Sequence, residues 1–386
     1  MTSSRRWVIK GVFGFCAVAA LPARALDCSA AAHQIWYLGT ARTSDGNFIA
    51  ALLDSDSRPI SKIDLPGRGH GFSIHPKRPE YVVFARRPGT YAIVLEGPLL
   101  NRIHDITSKP GRHFYGHGCF SRDGTHLFAS ENNFERGFGV IGVYDVNDSY
   151  HRVGEFSSGG IGPHELRLMP GGGHLVVANG GIRTHPDQGR AKLNLTEMKP
   201  NVCLLDVSTG AVVEKMQLDH RYQRLSIRHV DVNTQKVIGL AMQFEGNPAA
   251  SVPLAALWRC GQEVIFLRAP ASIEPTLRQY TGSIRFDQNG AFVAVTFPRG
   301  HFTGLWETAT AEFRGGFVTP DSSGVSSTSG PGEFLIAGSD GRFRRVAPDQ
   351  SSPEIDQSSG GEYAWDNHIF ELEAKFDLNH GLEVKC

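Results

Sequence analysis

The chain has 386 residues, with 39 Lys and Arg balanced by 39 Asp and Glu, and 44 glycines. Zero net charge gives no long-range field for nucleic acid or an anionic membrane, and neither is expected as a partner. The length admits two domains, but one all-β toroid of this size fits as well.

The first residues read as an export address. Ser4-Arg5-Arg6-Trp7-Val8-Ile9-Lys10 places paired arginines ahead of an apolar run from Gly11 to Leu21, followed by the A-x-A site Ala23-Arg24-Ala25. That order predicts a twin-arginine signal peptide over residues 1–25, with residues 26–386 a single domain in a bacterial periplasm. The apolar run is too short for a permanent membrane span. Asp27 stands before Cys28 where a lipoprotein signal needs a small residue. Twin-arginine export carries folded proteins, which favours a cofactor inserted beforehand. Beyond the signal, Cys28, Cys119, Cys203, Cys260 and Cys386 show no zinc-ribbon spacing. An oxidising compartment permits disulfides, and Cys28 with Cys386 would tie the termini.

After the signal the pattern is all β. His33-Gln-Ile-Trp-Tyr-Leu, Asn47-Phe-Ile-Ala-Ala-Leu-Leu and Ile60-Ser-Lys-Ile-Asp-Leu read as three strands joined by polar turns. From there one phrase recurs at about fifty-residue spacing: a histidine opening a short strand, a turn, then a strongly apolar strand. It appears as His70-Gly-Phe-Ser-Ile, His117-Gly-Cys-Phe-Ser, His164-Glu-Leu-Arg-Leu and Arg228-His229-Val-Asp-Val. Each unit carries several strands, which points to a seven-bladed β-propeller. The fourth unit holds a long polar insertion beginning at Gly180. The seventh, from Gly324 to about Val346, is short, and Ser351 to Gly361 reads as a loop. The last strand, Trp365-Asp-Asn-His368-Ile-Phe-Glu-Leu, repeats the inner phrase with no blade after it. The first three strands form a blade lacking an inner partner. Pairing these two ends closes the ring and leaves no open sheet edge.

In a propeller the first strand of each blade lines the central channel. His70, His117, His164, His229 and His368 occupy equivalent positions in five consecutive blades, with Ser283 and Val325 in the other two. Five imidazoles should therefore form an arc at one channel mouth, where a subset could bind a transition metal such as iron or copper. Glu165 and Arg228 flank the arc as outer-shell or anion contacts. Arg68, Arg112, His113 and Tyr115 approach the same face just before inner strands. Arg183 and His185 join them if the insertion folds over it. The competing reading is that each histidine caps a strand start, since a repeat propagates a structural residue as easily as a ligand. No P-loop, nucleotide fingerprint, G-x-S-x-G or H-E-x-x-H occurs.

Several phrases together resemble the DUF1513 family: Arg68-Gly-His-Gly-Phe, Phe84-Ala-Arg-Arg-Pro-Gly, Gly111-Arg-His-Phe-Tyr-Gly-His-Gly, Gly160-Ile-Gly-Pro-His-Glu-Leu, Val177-Ala-Asn-Gly-Gly-Ile-Arg-Thr-His-Pro-Asp, Leu225-Ser-Ile-Arg-His and Trp365-Asp-Asn-His. The likeness covers nearly the whole mature chain, and the region after Phe317 is more loosely patterned. The resemblance implies a twin-arginine-exported propeller of the quinoprotein-dehydrogenase-like or YVTN type. It also implies a gene neighbourhood with imelysin-type iron-uptake proteins, hence a place in periplasmic iron acquisition and such proteins as partners. The expected function is metal or metal-complex binding at the histidines by a monomer. The alternatives are a metal-free scaffold that docks an uptake partner, and a propeller-type oxidoreductase.

Overall fold

The computed structural model describes residues 36–348, 350–355 and 361–372. The expected signal peptide and a Cys28–Cys386 disulfide lie outside these residues. Among the described residues Cys119, Cys203 and Cys260 are free thiols, and no helix is long and apolar enough to cross a membrane.

Seven four-stranded antiparallel sheets make a propeller. Blade 1 combines both ends of the chain. Its inner strand is Tyr363–Leu372, followed outward by Trp36–Thr43, Phe48–Leu53 and Pro59–Leu65. Trp36 pairs with Leu372 and Thr43 with Tyr363, so the closure expected from the sequence is made by backbone hydrogen bonds. Blades 2 to 7 then follow in chain order, with inner strands Gly69–Ile74, Arg112–Phe120, Pro163–Leu168, Leu225–Val232, Ser283–Phe286 and Ser322–Ser327.

Burial explains the two strand patterns. The second strand of a blade is packed on both faces by its neighbours, so Glu80–Ala85 is buried throughout and reads as a continuous apolar run. The outermost strand faces solvent on one side, and His151–Ser157 alternates between exposed and half-buried residues. The core lies between blades. Leu38, Leu52, Tyr81, Val83, Ile93 and Phe370 join blades 1 and 2, and Tyr37, Ile49, Leu335, Phe343 and Trp365 join blades 7 and 1. Each buried Leu, Ile or Phe of these seams contributes about 1.5–3 kcal/mol relative to exposure.

Two details differ from the sequence reading. Glu354–Ile355, within the expected loop, forms a short outer strand against Arg344 and Arg345. Two residues are too few to show a period. Val325 does not face the channel: it packs with Ala294, Leu305, Phe334 and Ile336 between blades 6 and 7.

Candidate metal centre

A local irregularity recurs around the ring and delivers the histidines. In blade 2, Gly69 pairs with Ala85 and then Phe72 with Val83, so His70 and Gly71 together oppose Phe84. The same kind of bulge holds Tyr115, Gly116 and His117 in blade 3, His164 and Glu165 in blade 4, and Asp366, Asn367 and His368 in blade 1. In blade 5 the extra residue is Arg228, directly before His229. A bulge interrupts the ladder and re-aims side chains. In blade 7 the bulged residue is Ser323, which explains the misplacement of Val325 by repeat counting.

The five imidazoles converge. Ring centroids are 4.6 Å apart for His117 and His368, 4.7 Å for His70 with each of those two, and 4.8 Å for His229 with both His164 and His368. Exposure runs from 0% at His368 to 7% at His164, so the rings plug the channel rather than ring an open mouth. Three overlapping groups can hold a metal ion: His70, His117 and His368; His117, His164 and His229; and Glu165, His229 and His368. Within each, the ligand atoms lie within 4.8 Å of one another.

Carboxylates orient two of these rings. His70 Nδ1 is 3.4 Å from Asp366 Oδ1, and His229 Nδ1 is 3.1 Å from Glu165 Oε2. An ionised carboxylate only accepts, which assigns the proton to Nδ1 and leaves the Nε2 lone pair facing inward. His368 Nδ1 is 3.4 Å from the Ser283 hydroxyl. The Nε2 atoms of His70, His117, His229 and His368 are all buried and have no hydrogen-bond partner. Burial pushes the pKa of all five histidines down, to about 4 for His70, so they are neutral at pH 7. Neutral imidazole is the metal-binding form.

The carboxylates are held ionised. Burial raises the pKa of Asp366, but the His70 hydrogen bond and the Arg86 and Arg68 charges outweigh it and hold the group well below the usual range. Arg86 Nη1 is 3.2 Å from Asp366 Oδ1, and Arg68 bonds Oδ2. Glu165 is likewise kept ionised against its burial by His117, Arg167, His229 and Arg285. Arg167 Nη2 lies 3.0 Å from Glu165 Oε1, at ion-pair distance but not aligned as a hydrogen bond, and Arg285 Nη1 lies 3.7 Å away.

The family model described as "Protein of unknown function (DUF1513)" matches residues 63–372. The chain belongs to the DUF1513 family. No curated protein matches it. Among solved structures it is similar to hydrazine synthase of Kuenenia stuttgartiensis, with a TM-score of 0.61 at 13% identity over 80% of this chain and 94% of that one. At that identity the likeness concerns the fold alone.

The other candidate residues of this DUF1513 protein separate into two sets. Arg68, Tyr115, Glu165 and Arg228 reach the cluster or its margin. The Tyr115 ring stands edge-on to His164 at 6.4 Å, and Arg228 lines a cavity of about 250 Å³ whose floor includes His70, His164 and His229. Arg112, His113, Arg183 and His185 do not reach it. Arg112 pairs with Glu155 at 3.0 Å, away from the channel. His113 has Nδ1 bonded to the Phe114 carbonyl at 2.9 Å and Nε2 3.0 Å from Asn132 Nδ2, so no lone pair remains for a metal. His185 caps a short turn by accepting from Asp187 N and packs on Phe134. Arg183 covers the turn at Gly137.

The insertion nonetheless folds over this face and contributes Arg190 and Lys192 to the same cavity, beside Arg86 and Arg87. Sequence reasoning placed Arg190 only as a neighbour of Arg183 and His185 in the insertion, and assigned Arg86, Arg87, Lys192 and Asp366 no role. The signal for Asp366 was its place two residues before His368, inside the recurrent bulge. A larger cavity of about 730 Å³, lined by Leu254, Leu267, Phe297 and Trp306, does not include the histidines.

Proposed function

We propose that this protein binds a transition-metal ion, iron or copper, inside the propeller channel through His70, His117 and His368, with His229 and His164 as adjacent donors. The observation that carries this reading is the set of four buried, unpartnered Nε2 atoms. Each buried polar atom left without a partner costs on the order of 1–3 kcal/mol. Four in one place would be a large fraction of a domain's net stability unless a ligand satisfies them. The carboxylate-to-histidine contacts at Asp366 and Glu165 are the usual supports of metal-ligating imidazoles. An all-imidazole first shell suits iron, copper, zinc or nickel and disfavours magnesium or calcium. The metal would supply Lewis-acid or redox chemistry, and the chain's residues would hold and orient it.

A periplasmic role in iron handling, with twin-arginine export, accords with the resemblance described above, as does a redox step coupled to it. In the scaffold alternative, the histidines would hold the inner strands together and the top face would dock a partner. Elemental analysis after native export tests the proposal, beside a His70→Ala/His368→Ala variant. A near-stoichiometric metal lost in the variant is the expected result. No metal in the parent chain, even after loading with iron and copper, would refute it.

A further inference from the structure

The cavity over the histidines is lined by an excess of cations although the chain has zero net charge. Six cationic side chains line it: Arg86, Arg87, Arg190, Lys192, Arg228 and Arg299. Glu245 is the carboxylate among its lining residues. Lys192 is ion-paired to Glu245, Arg228 Nη2 lies 4.0 Å from Glu245 Oε1, and Arg86 is held by Asp366. Arg87, Arg190 and Arg299 have no carboxylate at ion-pair distance among the described residues. Arg299 rests on the Tyr280 ring at 4.2 Å. The Arg228 side chain is 8% exposed, and its buried Nε has no hydrogen-bond partner.

Like charges gathered in a concave, partly buried site repel one another, and the uncompensated excess favours an anion. The effect is visible at Arg87, whose pKa is pushed down to about 10 by burial, with Arg228, Arg86 and Arg190 adding to the shift. Guanidinium forks match carboxylate and phosphate oxygens. The volume, about 250 Å³, is below that of a drug-sized pocket. A nucleic-acid backbone cannot enter such a cavity, whereas a small molecule can.

We infer that this vestibule is a binding site for a small, multiply charged oxyanion bearing carboxylate or phosphate groups, seated on the histidine cluster and gripped by Arg87, Arg228, Arg190 and Arg299. The site is built by the arginines and does not depend on a metal below it. With a metal present, the anion would lie against the same imidazoles that hold the ion. The insertion in blade 4 thereby gains a role, since it supplies Arg190 and Lys192.

Isothermal titration of the exported protein with citrate and with pyrophosphate, in metal-free and metal-loaded forms, tests the inference. At least one should bind the metal-free form with Kd below about 1 mM, and which of the two binds distinguishes carboxylate from phosphate recognition. Arg87→Gln and the exposed pair Arg190→Ala/Arg299→Ala should each weaken binding about tenfold, whereas Lys109→Ala, exposed and not among the residues lining the cavity, should not. The pair is solvent-facing, so its variant folds even if Arg87→Gln does not. Binding of neither anion by the metal-free form would overturn the site, whatever the metal-loaded form does. So would binding that survives the pair, or that falls equally with Lys109→Ala.

Discussion

His70 Nδ1 and Asp366 Oδ1 are 3.4 Å apart although 296 positions separate them in sequence. The contact joins the first strand of blade 2 to the strand that closes the ring, so the closure and the histidine cluster depend on the same residues. Asp366→Asn should lower metal affinity about 10- to 100-fold, because the amide can present N–H to His70 and no longer fixes its tautomer. It should also lower the melting temperature of the metal-free protein, since Arg68 and Arg86 lose their shared carboxylate. Competition titration with a chelator, beside thermal unfolding, reads both effects. Unchanged affinity would mean that His70 is not a ligand.

Glu165 does on the opposite side what Asp366 does here, with two arginines and two neutral imidazoles around it. It faces His117, His229, Arg167 and Arg285 and is 1% exposed. Glu165→Gln removes the nearer carboxylate from Arg167 and Arg285, leaving Asp231 at 3.9 and 3.8 Å as their remaining acidic neighbour, and should destabilise the protein by about 1–3 kcal/mol in urea unfolding. Adding Arg285→Met should restore part of that loss. A double variant no more stable than the single one would show that charge balance is not the reason.

Much of this was legible beforehand, for identifiable reasons. The ring and its closure followed from one phrase recurring at about fifty-residue spacing, a histidine-led short strand, a turn and a strongly apolar strand, with one inner strand in excess at the end and one lacking at the start. The histidines were visible because they recur in phase. What pattern counting could not supply was depth and partnership. Val325 and Ser323 differ by two positions, so a regular strand would point both to one face, and only the bulge at Ser323 separates them. His113 looks like His117 in sequence, yet its nitrogens are both hydrogen-bonded. Arg86 and Arg87 follow the second strand of blade 2 while Arg190 and Lys192 belong to the insertion in blade 4, so no local motif announces that they share a cavity.

Acid should unfold the protein through its buried histidines. His113 is pushed down to about 4 from its ordinary 6.5, first by burial and then by Arg87 and His185 against a favourable bond to the Phe114 carbonyl. His70 is pushed down to about 4 as well. Between those values the unfolded chain takes up protons that the folded chain refuses, so stability is full above 6.5 and falls as pH drops towards 4. Each histidine held neutral contributes a slope of up to about 1.4 kcal/mol per pH unit. Thermal unfolding across that window should show the loss, and His113→Gln should flatten it. A slope identical in the variant would remove His113 from the explanation.

The sharpest test of the cluster changes no ligand. A Cβ on Gly71 would lie 2.7 Å from the Gly116 carbonyl oxygen and 2.9 Å from His117 Nδ1. The first contact is with backbone inside a bulge, where Gly116 itself has a φ of 104° that other residues rarely adopt. Neither neighbour can move without displacing His117, which belongs to two of the three candidate ligand groups. Gly71→Ala should therefore cost about 1–3 kcal/mol through overpacking and lower the bound metal while every histidine remains. If the histidines merely cap strands, the same variant would lose stability but show no change in metal content, because there would be none to lose. Stability and metal content measured on one preparation separate these outcomes, and a stable Gly71→Ala protein with full metal would contradict the packing described for His117.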